Sequence, residues 1–295
     1  SPELLIQALG VGEQRGYIVL SQNSDELRPS GGYVSTWGWL TVRNGRIDDF
    51  GYDATTTTSP FPPSAQSGFA QSVNPPNWWL ASSDPVFLAW DGSWYADFPS
   101  TAEMARQYYN AGNNIHSPMD GVIAVDMVGF EYILSALGEV EMPEYDLVVT
   151  SDNYRELIYD IRSVGVEAGT REAEHKVFIA DMYEQIFANW LRIDQERAPA
   201  LLGAVLQALQ ERHIMIYFSN EQLNDAMELL SWSGSQGSGA DQDYLMIVDA
   251  NTSPNKSNRS INRSLTYDVI INPDGSLNSR ASVTYEYLDT VASSD

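Results

Sequence analysis

Short apolar runs alternate with longer amphipathic ones along this chain. "GYIVLSQ" (16–22) reads as a buried strand, and "GYVSTWGWLTVRNGRIDDFGYD" (32–53) as two more, joined at Asn44-Gly45, the dipeptide suited to a type I′ hairpin turn. "DFPSTAEMARQYYNAG" (97–112) predicts a helix with Ser100 or Thr101 as N-cap and Glu103 placed for a capping box. In "DGVIAVDMVGFEYILSALGEVEM" (120–142) the pattern gives a strand over Gly121–Val125, a turn at Asp126 and a helix carrying Phe130, Ile133, Leu134 and Leu137. Gly138 stops that helix before another short strand, so the stretch reads as a β-α-β unit. "TSDNYRELIYDIRS" (150–163) predicts a helix capped by Thr150 or Ser151. "REAEHKVFIADMYEQIFANWLRI" (171–193) predicts a long one with Val177, Phe178, Met182, Ile186 and Trp190 near one face.

Pro199 interrupts before "ALLGAVLQALQ" (200–210). "HIMIYFS" (213–219) reads as a strand and "NEQLNDAMELLSW" (220–232) as a helix led by Ser219. Strands are expected at "DYLMIVDAN" (243–251), "RSLTYDVIIN" (263–272) and "SRASVTYEYL" (279–288), the last two turned by Pro273-Asp274-Gly275. The Thr-, Ser- and Pro-rich stretch 54–76 reads as a long loop. The alternation of helix and strand gives an α/β or α+β class. It divides into an N-terminal helix or linker (1–15) and a single α/β domain (16–290), with C-terminal strands from about 243.

Composition narrows the partners. The chain has 295 residues and a formal charge of −24, so most of its surface repels nucleic acid phosphates and anionic lipid headgroups. An anion bound here needs a local pocket of cations, and Lys176 and Lys256 are the only lysines. There is no cysteine, which removes disulfides, thiolate zinc sites and cysteine nucleophiles. No run approaches the ~20 apolar residues of a membrane span, which leaves an anchor outside the sequence as an open expectation.

Arg28 is the first candidate for chemistry. A guanidinium behind a strand and beside Gly31 and Gly32 can meet a phosphate or carboxylate bidentately, while the glycines let backbone N–H groups approach the same anion. The alternative is an Arg28 paired with Asp25 or Glu26 in a structural turn. Asp25, Glu26, Asp53, Asp97 and Asp126 all fall at strand ends or adjacent loops, where oxygen ligands suit Mg²⁺ together with phosphate oxygens. Each could instead be a surface charge or a helix cap, Asp126 above all. His116, His175 and His213 show no metal-ligand spacing, and no "GxSxG", "HExxH" or P-loop pattern occurs. Trp78, Trp79, Trp90, Trp94 and Tyr95 could stack on sugars, line an apolar groove or anchor the long loop. "DANTSPNKSNRSINRS" (249–264) gathers Lys256, Arg259 and Arg263 into a cationic patch, with sequons opening at Asn251, Asn255, Asn258 and Asn262.

The stretches "SQNSDELRPSGGYVSTWGWLTVRNGRI", "DFPSTAEMARQYY" and "DGVIAVDMVGFEYILSALGEVEMP" resemble the bacterial family catalogued as domain of unknown function 4012. "DYLMIVDANTSPNKSNRSINRS" is similar to that family's C-terminal part. A more distant likeness, a strand, a polar loop with Arg and then "DGVIAVDMVGFEYILSALGEV", resembles the LytR-CpsA-Psr family. That resemblance implies a mixed central β-sheet flanked by helices, an apolar groove for a polyprenyl tail, and arginines with a Mg²⁺-binding carboxylate around a pyrophosphate. It also implies transfer of envelope glycopolymers outside the cytoplasmic membrane.

Carried over by position, Arg28 matches the first phosphate-facing arginine, with Asn23, Gly31 and Gly32 around it, and Asp25 or Glu26 lies near the acidic metal position. Asp53 is a second candidate metal and catalytic carboxylate. Arg171 matches the later arginine region, and Lys256 is a further ligand-binding candidate. Where that family has an arginine and aspartate after the third strand, "DDFGYDATTT" keeps only Asp53. The expected function is binding of a polyprenyl-(pyro)phosphate-linked glycan at the cell surface, with possible Mg²⁺-dependent transfer. The alternatives are a non-catalytic glycan- or protein-binding envelope module and, third, a glycosidase with two facing carboxylates.

Overall fold

The computed structural model describes residues 2–55, 89–167, 173–237, 243–252 and 255–288. The expected loop beyond Thr55, with Trp78 and Trp79, and Arg171 lie outside those residues.

The elements in chain order are α1 (Pro2–Ala8), β1 (Arg15–Asn23), β2 (Tyr33–Arg43), β3 (Arg46–Ala54), a 3-10 turn (Ala89–Trp94), α2 (Phe98–Ala111), β4 (Gly121–Asp126) and α3 (Met127–Leu137). There follow β5 (Val140–Met142), β6 (Leu147–Val149), α4 (Tyr154–Glu167), α5 (Ala173–Leu191), α6 (Ala198–Gln210), β7 (Ile214–Phe218), α7 (Glu221–Leu229), β8 (Ile261–Ile271) and β9 (Leu277–Tyr287). The class is mixed α/β, with a central mixed sheet in the order β3-β2-β1-β4-β7 and separate pairs β5-β6 and β8-β9. Within the five-stranded sheet only β1 and β4 run parallel.

Alternation along β1 sends Tyr17 and Val19 to one face and Ile18 and Leu20 to the other, and both faces are buried. The first packs under α3, α5 and α6 through Phe130, Ile133, Ile186 and Leu209; the second packs on α2 through Phe98, Ala102 and Tyr108. Helices therefore cover the sheet on both sides. Asn44 and Gly45 turn the β2-β3 hairpin with φ of 51° and 73°, the left-handed pair a type I′ turn needs.

Several boundaries differ from the sequence expectations. The α2 cap is Asp97, whose carboxylate accepts from the Ser100 N–H at 3.1 Å, because Pro99 suits the first turn and moves the start upstream. Asn220 rather than Ser219 caps α7, accepting from the Leu223 N–H at 3.0 Å. Pro199 opens α6 instead of interrupting a helix. β5 pairs with β6 and not with the main sheet, so β4-α3-β5 is no single-sheet β-α-β unit. Val177 is exposed while Phe178, Met182 and Ile186 are buried. Residues 243–251, expected as a strand, form no ladder, and the C-terminal strands begin at Ile261.

Candidate functional site

The loop after β1 is built by Asn23, whose side-chain oxygen accepts from the backbone N–H groups of Asp25 (3.0 Å) and Glu26 (3.3 Å). This turn drives two adjacent carboxylates inward, leaving Asp25 and Glu26 only 2% and 5% exposed. Buried charges demand partners, and each acid has its own. Glu26 accepts from Arg28 Nη2 at 2.9 Å and, on its other oxygen, from Lys256 Nζ. Asp25 accepts from Arg155 Nη1 at 3.2 Å and, on its other oxygen, from the Tyr159 hydroxyl. Arg155 also donates from Nε to Glu131 on α3. Burial, then the Asp25 charge, pushes the Tyr159 hydroxyl far above its ordinary pKa, which keeps it a donor.

Arg28 is 7% exposed. Besides Glu26 it donates to the Asn251 carbonyl at 2.9 Å and the Leu27 carbonyl at 3.1 Å. Its guanidinium lies 4.5 Å from the Trp94 ring centroid and 5.6 Å from that of Tyr33. The turn pairing that the sequence left open is therefore present, yet Arg28 Nε is buried without a hydrogen-bond partner. So is Gln22 Oε1, at the end of β1.

The two glycines serve packing. A Cβ on Gly31 would stand 2.6 Å from Gln22 Oε1, and one on Gly32 2.3 Å from the Asn23 carbonyl. The Gly31 N–H is spent on the Arg28 carbonyl at 3.0 Å, so it does not point to an external anion.

Residues 251–252 and 255–260 of the C-terminal part close over this place as a strap. Asn251 N–H donates to the Leu27 carbonyl at 2.9 Å, and Asn258 donates from its backbone to the Asp25 carbonyl at 3.2 Å and from its side chain to the Ser24 carbonyl at 2.8 Å. Arg259 stacks 4.6 Å from the Tyr159 centroid and has no carboxylate partner among the described residues. Arg28, Arg155, Lys256 and Arg259 thus gather around Asp25, Glu26 and Glu131, a local cationic excess on a strongly acidic chain.

The structure does not bring Asp53 into this group. It sits exposed on β3 opposite Trp37, and its side chain accepts from the Ala54 N–H at 2.7 Å. Among the described residues no set of three or more His, Asp or Glu side chains converges, and both oxygens of Asp25 are already engaged. As arranged, this donor set does not fit Mg²⁺. Asp126 caps α3, accepting from the Gly129 N–H at 2.8 Å, and its other oxygen meets His213 Nδ1 at 2.7 Å. His116 contacts Asp49.

A second feature lies in the core. Between the Tyr17/Val19 face of the sheet and α3, α5 and α6 runs an apolar cavity of about 350 Å³, lined by Val19, Ile123, Phe130, Ile133, Ile186 and Val205 among others. Its wall includes Tyr183, whose hydroxyl meets that of Tyr154 at 2.9 Å, next in sequence to Arg155. Tyr154 feels the charges of Arg155 and Glu131, so the cavity's tyrosine wall and the charged cluster are neighbours. A polar groove of about 810 Å³, with Arg192, Arg197, Glu139 and Glu141 on its walls, lies elsewhere, beside the end of α3.

The sequence reading missed Arg155, Glu131 and Tyr159. Arg155 and Tyr159 stand four apart on α4, one face of one helix, which is the signal that could have marked them.

The model of the family described as protein of unknown function DUF4012 matches residues 12–160, which takes in β1 through the first half of α4. The chain belongs to that DUF4012 family. The matched part of this DUF4012 chain supplies Asp25, Glu26, Arg28, Arg155 and Tyr159, while Lys256 and Arg259 lie beyond it. No curated protein matches. Among solved structures, protein gbs0355 from Streptococcus agalactiae is similar at 11% identity and TM-score 0.44, over 76% of this chain and 74% of that one. The transcriptional regulator yvhJ from Bacillus subtilis follows at 11% identity and TM-score 0.29 (91% and 90% covered). Lin1025 protein from Listeria innocua stands at 8% identity and TM-score 0.32 (91% of each).

Proposed function

We propose that this protein binds a polyprenyl-(pyro)phosphate-linked glycan outside the cytoplasmic membrane, the hydrocarbon chain in the core cavity and the phosphate among Arg259, Arg155 and Arg28. The observation that carries this reading is the cavity. About 350 Å³ bordered by aliphatic and aromatic side chains is large for a natural core, where voids beyond the size of a water are few, and it falls within the usual range of ligand pockets. Hydrocarbon entering it restores the dispersion contacts its lining lacks. The nearby cations give the same ligand a place for its charge, Arg259 first, since it has no competing carboxylate among the described residues.

Binding is better supported than transfer. A Mg²⁺-dependent transferase would need Asp25 released from Arg155 and Tyr159, and Arg28 released from Glu26. The apolar cavity does not suit a glycosidase, because its described wall holds no carboxylate.

The test is calorimetric titration of the protein with farnesyl phosphate, farnesol and inorganic phosphate in separate arms. Saturable binding of farnesyl phosphate, weaker binding of farnesol and none of phosphate is the expected order, with a negative heat-capacity change from apolar burial. Ile123→Phe, which narrows the cavity, should weaken both prenyl ligands alike. Absence of saturable farnesyl phosphate binding, or binding indifferent to Ile123→Phe, removes the reading.

A further inference from the structure

β8 and β9 form a two-stranded ribbon in unbroken register from Ile261↔Tyr287 to Ile271↔Leu277. Because directly paired residues share a face, the register sorts the ribbon into a mainly apolar and a mainly polar face. One face carries Ile261, Arg263, Leu265, Tyr267, Val269 and Ile271 of β8 with Leu277, Ser279, Ala281, Val283, Tyr285 and Tyr287 of β9, apolar but for Arg263 and Ser279. The other carries Asn262, Ser264, Thr266, Asp268 and Ile270 with Asn278, Arg280, Ser282, Thr284 and Glu286, polar but for Ile270. The apolar face is not buried: Leu265, Tyr267, Val269, Ile271, Leu277, Tyr285 and Tyr287 are all exposed. A lone two-stranded ribbon is marginal in water, and an exposed apolar face of this length marks an interaction surface. The charges in its strands, Arg263, Asp268, Arg280 and Glu286, sum to zero on a chain of net −24, so the ribbon itself brings no net repulsion to a second copy.

The two edges differ. The segment 243–249 touches the mainly apolar face of both strands, Asp249 accepting from Arg263 at 2.6 Å and from the Tyr285 hydroxyl at 2.6 Å and Asp243 from the Tyr267 hydroxyl at 2.5 Å, so the edges are told apart by their charges. Arg263 and Asp268 also point to opposite faces and cannot meet their counterparts in any face-preserving pairing of β8 with another β8. β9 is different. The bonds Asn272 N–H to Ser276 O (2.8 Å) and Leu288 N–H to Ser260 O (2.7 Å) show that the even-numbered residues of β9 turn their backbone groups toward β8. Its odd-numbered residues, Ser279 through Tyr287, therefore present their N–H and C=O groups outward, along an edge with no strand partner among the described residues. The charges of β9 are Arg280 and Glu286, both on the polar face, and neither has an ion-pair partner among the described residues.

We propose that this edge pairs with the same edge of a second copy of the chain, β9 antiparallel to β9 about a two-fold axis at Val283. In that register Val283 faces the partner's Val283, Ala281 faces Tyr285 and Ser279 faces Tyr287, all outward-pointing residues able to exchange ladder hydrogen bonds. It sets Arg280 of each copy opposite Glu286 of the other in the intervening, closer pairs, twice by symmetry. No other two-fold register of β9 brings those two charges together. The product is a four-stranded sheet with one continuous apolar face, past the three strands that independent stability asks for.

The experiment is sedimentation of the full chain over about a hundredfold range of concentration, with the charge variants Arg280→Glu, Glu286→Arg and their double exchange. The unaltered chain should dimerise, each single reversal should raise the dissociation constant about tenfold or more, and the double exchange should restore it. As an independent readout, Val283→Cys, in a chain with no other cysteine, should form a disulfide-linked dimer on mild oxidation, since facing Cα atoms about 5.5 Å apart fit a disulfide. Val269→Cys on β8 should not. A chain that stays monomeric, or a dimer unmoved by the single reversals, overturns the proposal, and circular dichroism on every variant confirms that each still folds.

Discussion

β2 and β8 are both eleven residues long, both alternate in character and both have a complete antiparallel neighbour. Val34, Trp37 and Leu40 of β2 are nonetheless buried, while Ile270 and Ile271 of β8 remain 63% and 75% exposed. The difference lies in layers. β2 sits in a sheet covered by helices on both faces, whereas the β8-β9 ribbon has its ladder and little else among the described residues. Backbone pairing defines a strand's path; the faces supply its stability.

The sharpest way to break this contrast is at the charged clip where the ribbon's strap meets the sheet. Glu26→Ala should strand Arg28 and Lys256 in a buried site and cost about 3–5 kcal/mol in urea unfolding, the usual penalty for removing one member of a buried ion pair. Next, Leu20→Ala in the sheet should cost about 2–5 kcal/mol by cavity formation, while Leu265→Ala in the ribbon should stay within about 0.5 kcal/mol for the monomer. Equal losses at the two sites would erase the distinction drawn here. Arg259→Ala should leave unfolding nearly unchanged but weaken farnesyl phosphate about tenfold or more, the scale of one charge-assisted hydrogen bond.

The smallest expected effect is a pH dependence at His213. Its hydrogen bond to Asp126, opposed by partial burial and helped by the charges of Asp126, Glu211 and Glu131, raises its pKa above the ordinary 6.5. The stabilisation is full below about 6.5 and is lost as pH rises through the folded value. Thermal melts from pH 5.5 to about 8.5 should therefore decline through that window in the unaltered chain and flatten there in His213→Gln.

Sequence patterning located the sheet well where local chemistry dictates it. Asn44-Gly45 has one favourable turn, Gly138 adopts the positive φ that ends α3, and "GYIVL" has no amphipathic alternative to a strand buried on both faces. It failed where the outcome depends on distant neighbours. "DYLMIVDAN" has the alternation of a strand, but its Asp249 is taken by Arg263 and Tyr285, and no ladder partner reaches it. Arg28 could be read as an anion grip or a turn pair from its own loop alone. Deciding between them required Asn251 and Lys256, 223 and 230 residues away, which the structure places against Arg28 and Glu26. Arg155 and Tyr159 went unnoticed because their target, Asp25, lies 130 and 134 residues upstream.

That separation has a temporal consequence. Asp25 and Glu26 leave the ribosome early, yet Lys256 and Asn258, which close over them, follow more than 200 residues later, on the order of ten seconds or more of synthesis. Until then Glu26 has Arg28 beside it but not Lys256, and its second oxygen stays hydrated, so the sheet can assemble around a loop whose final seat is taken only when the rest of the chain has arrived.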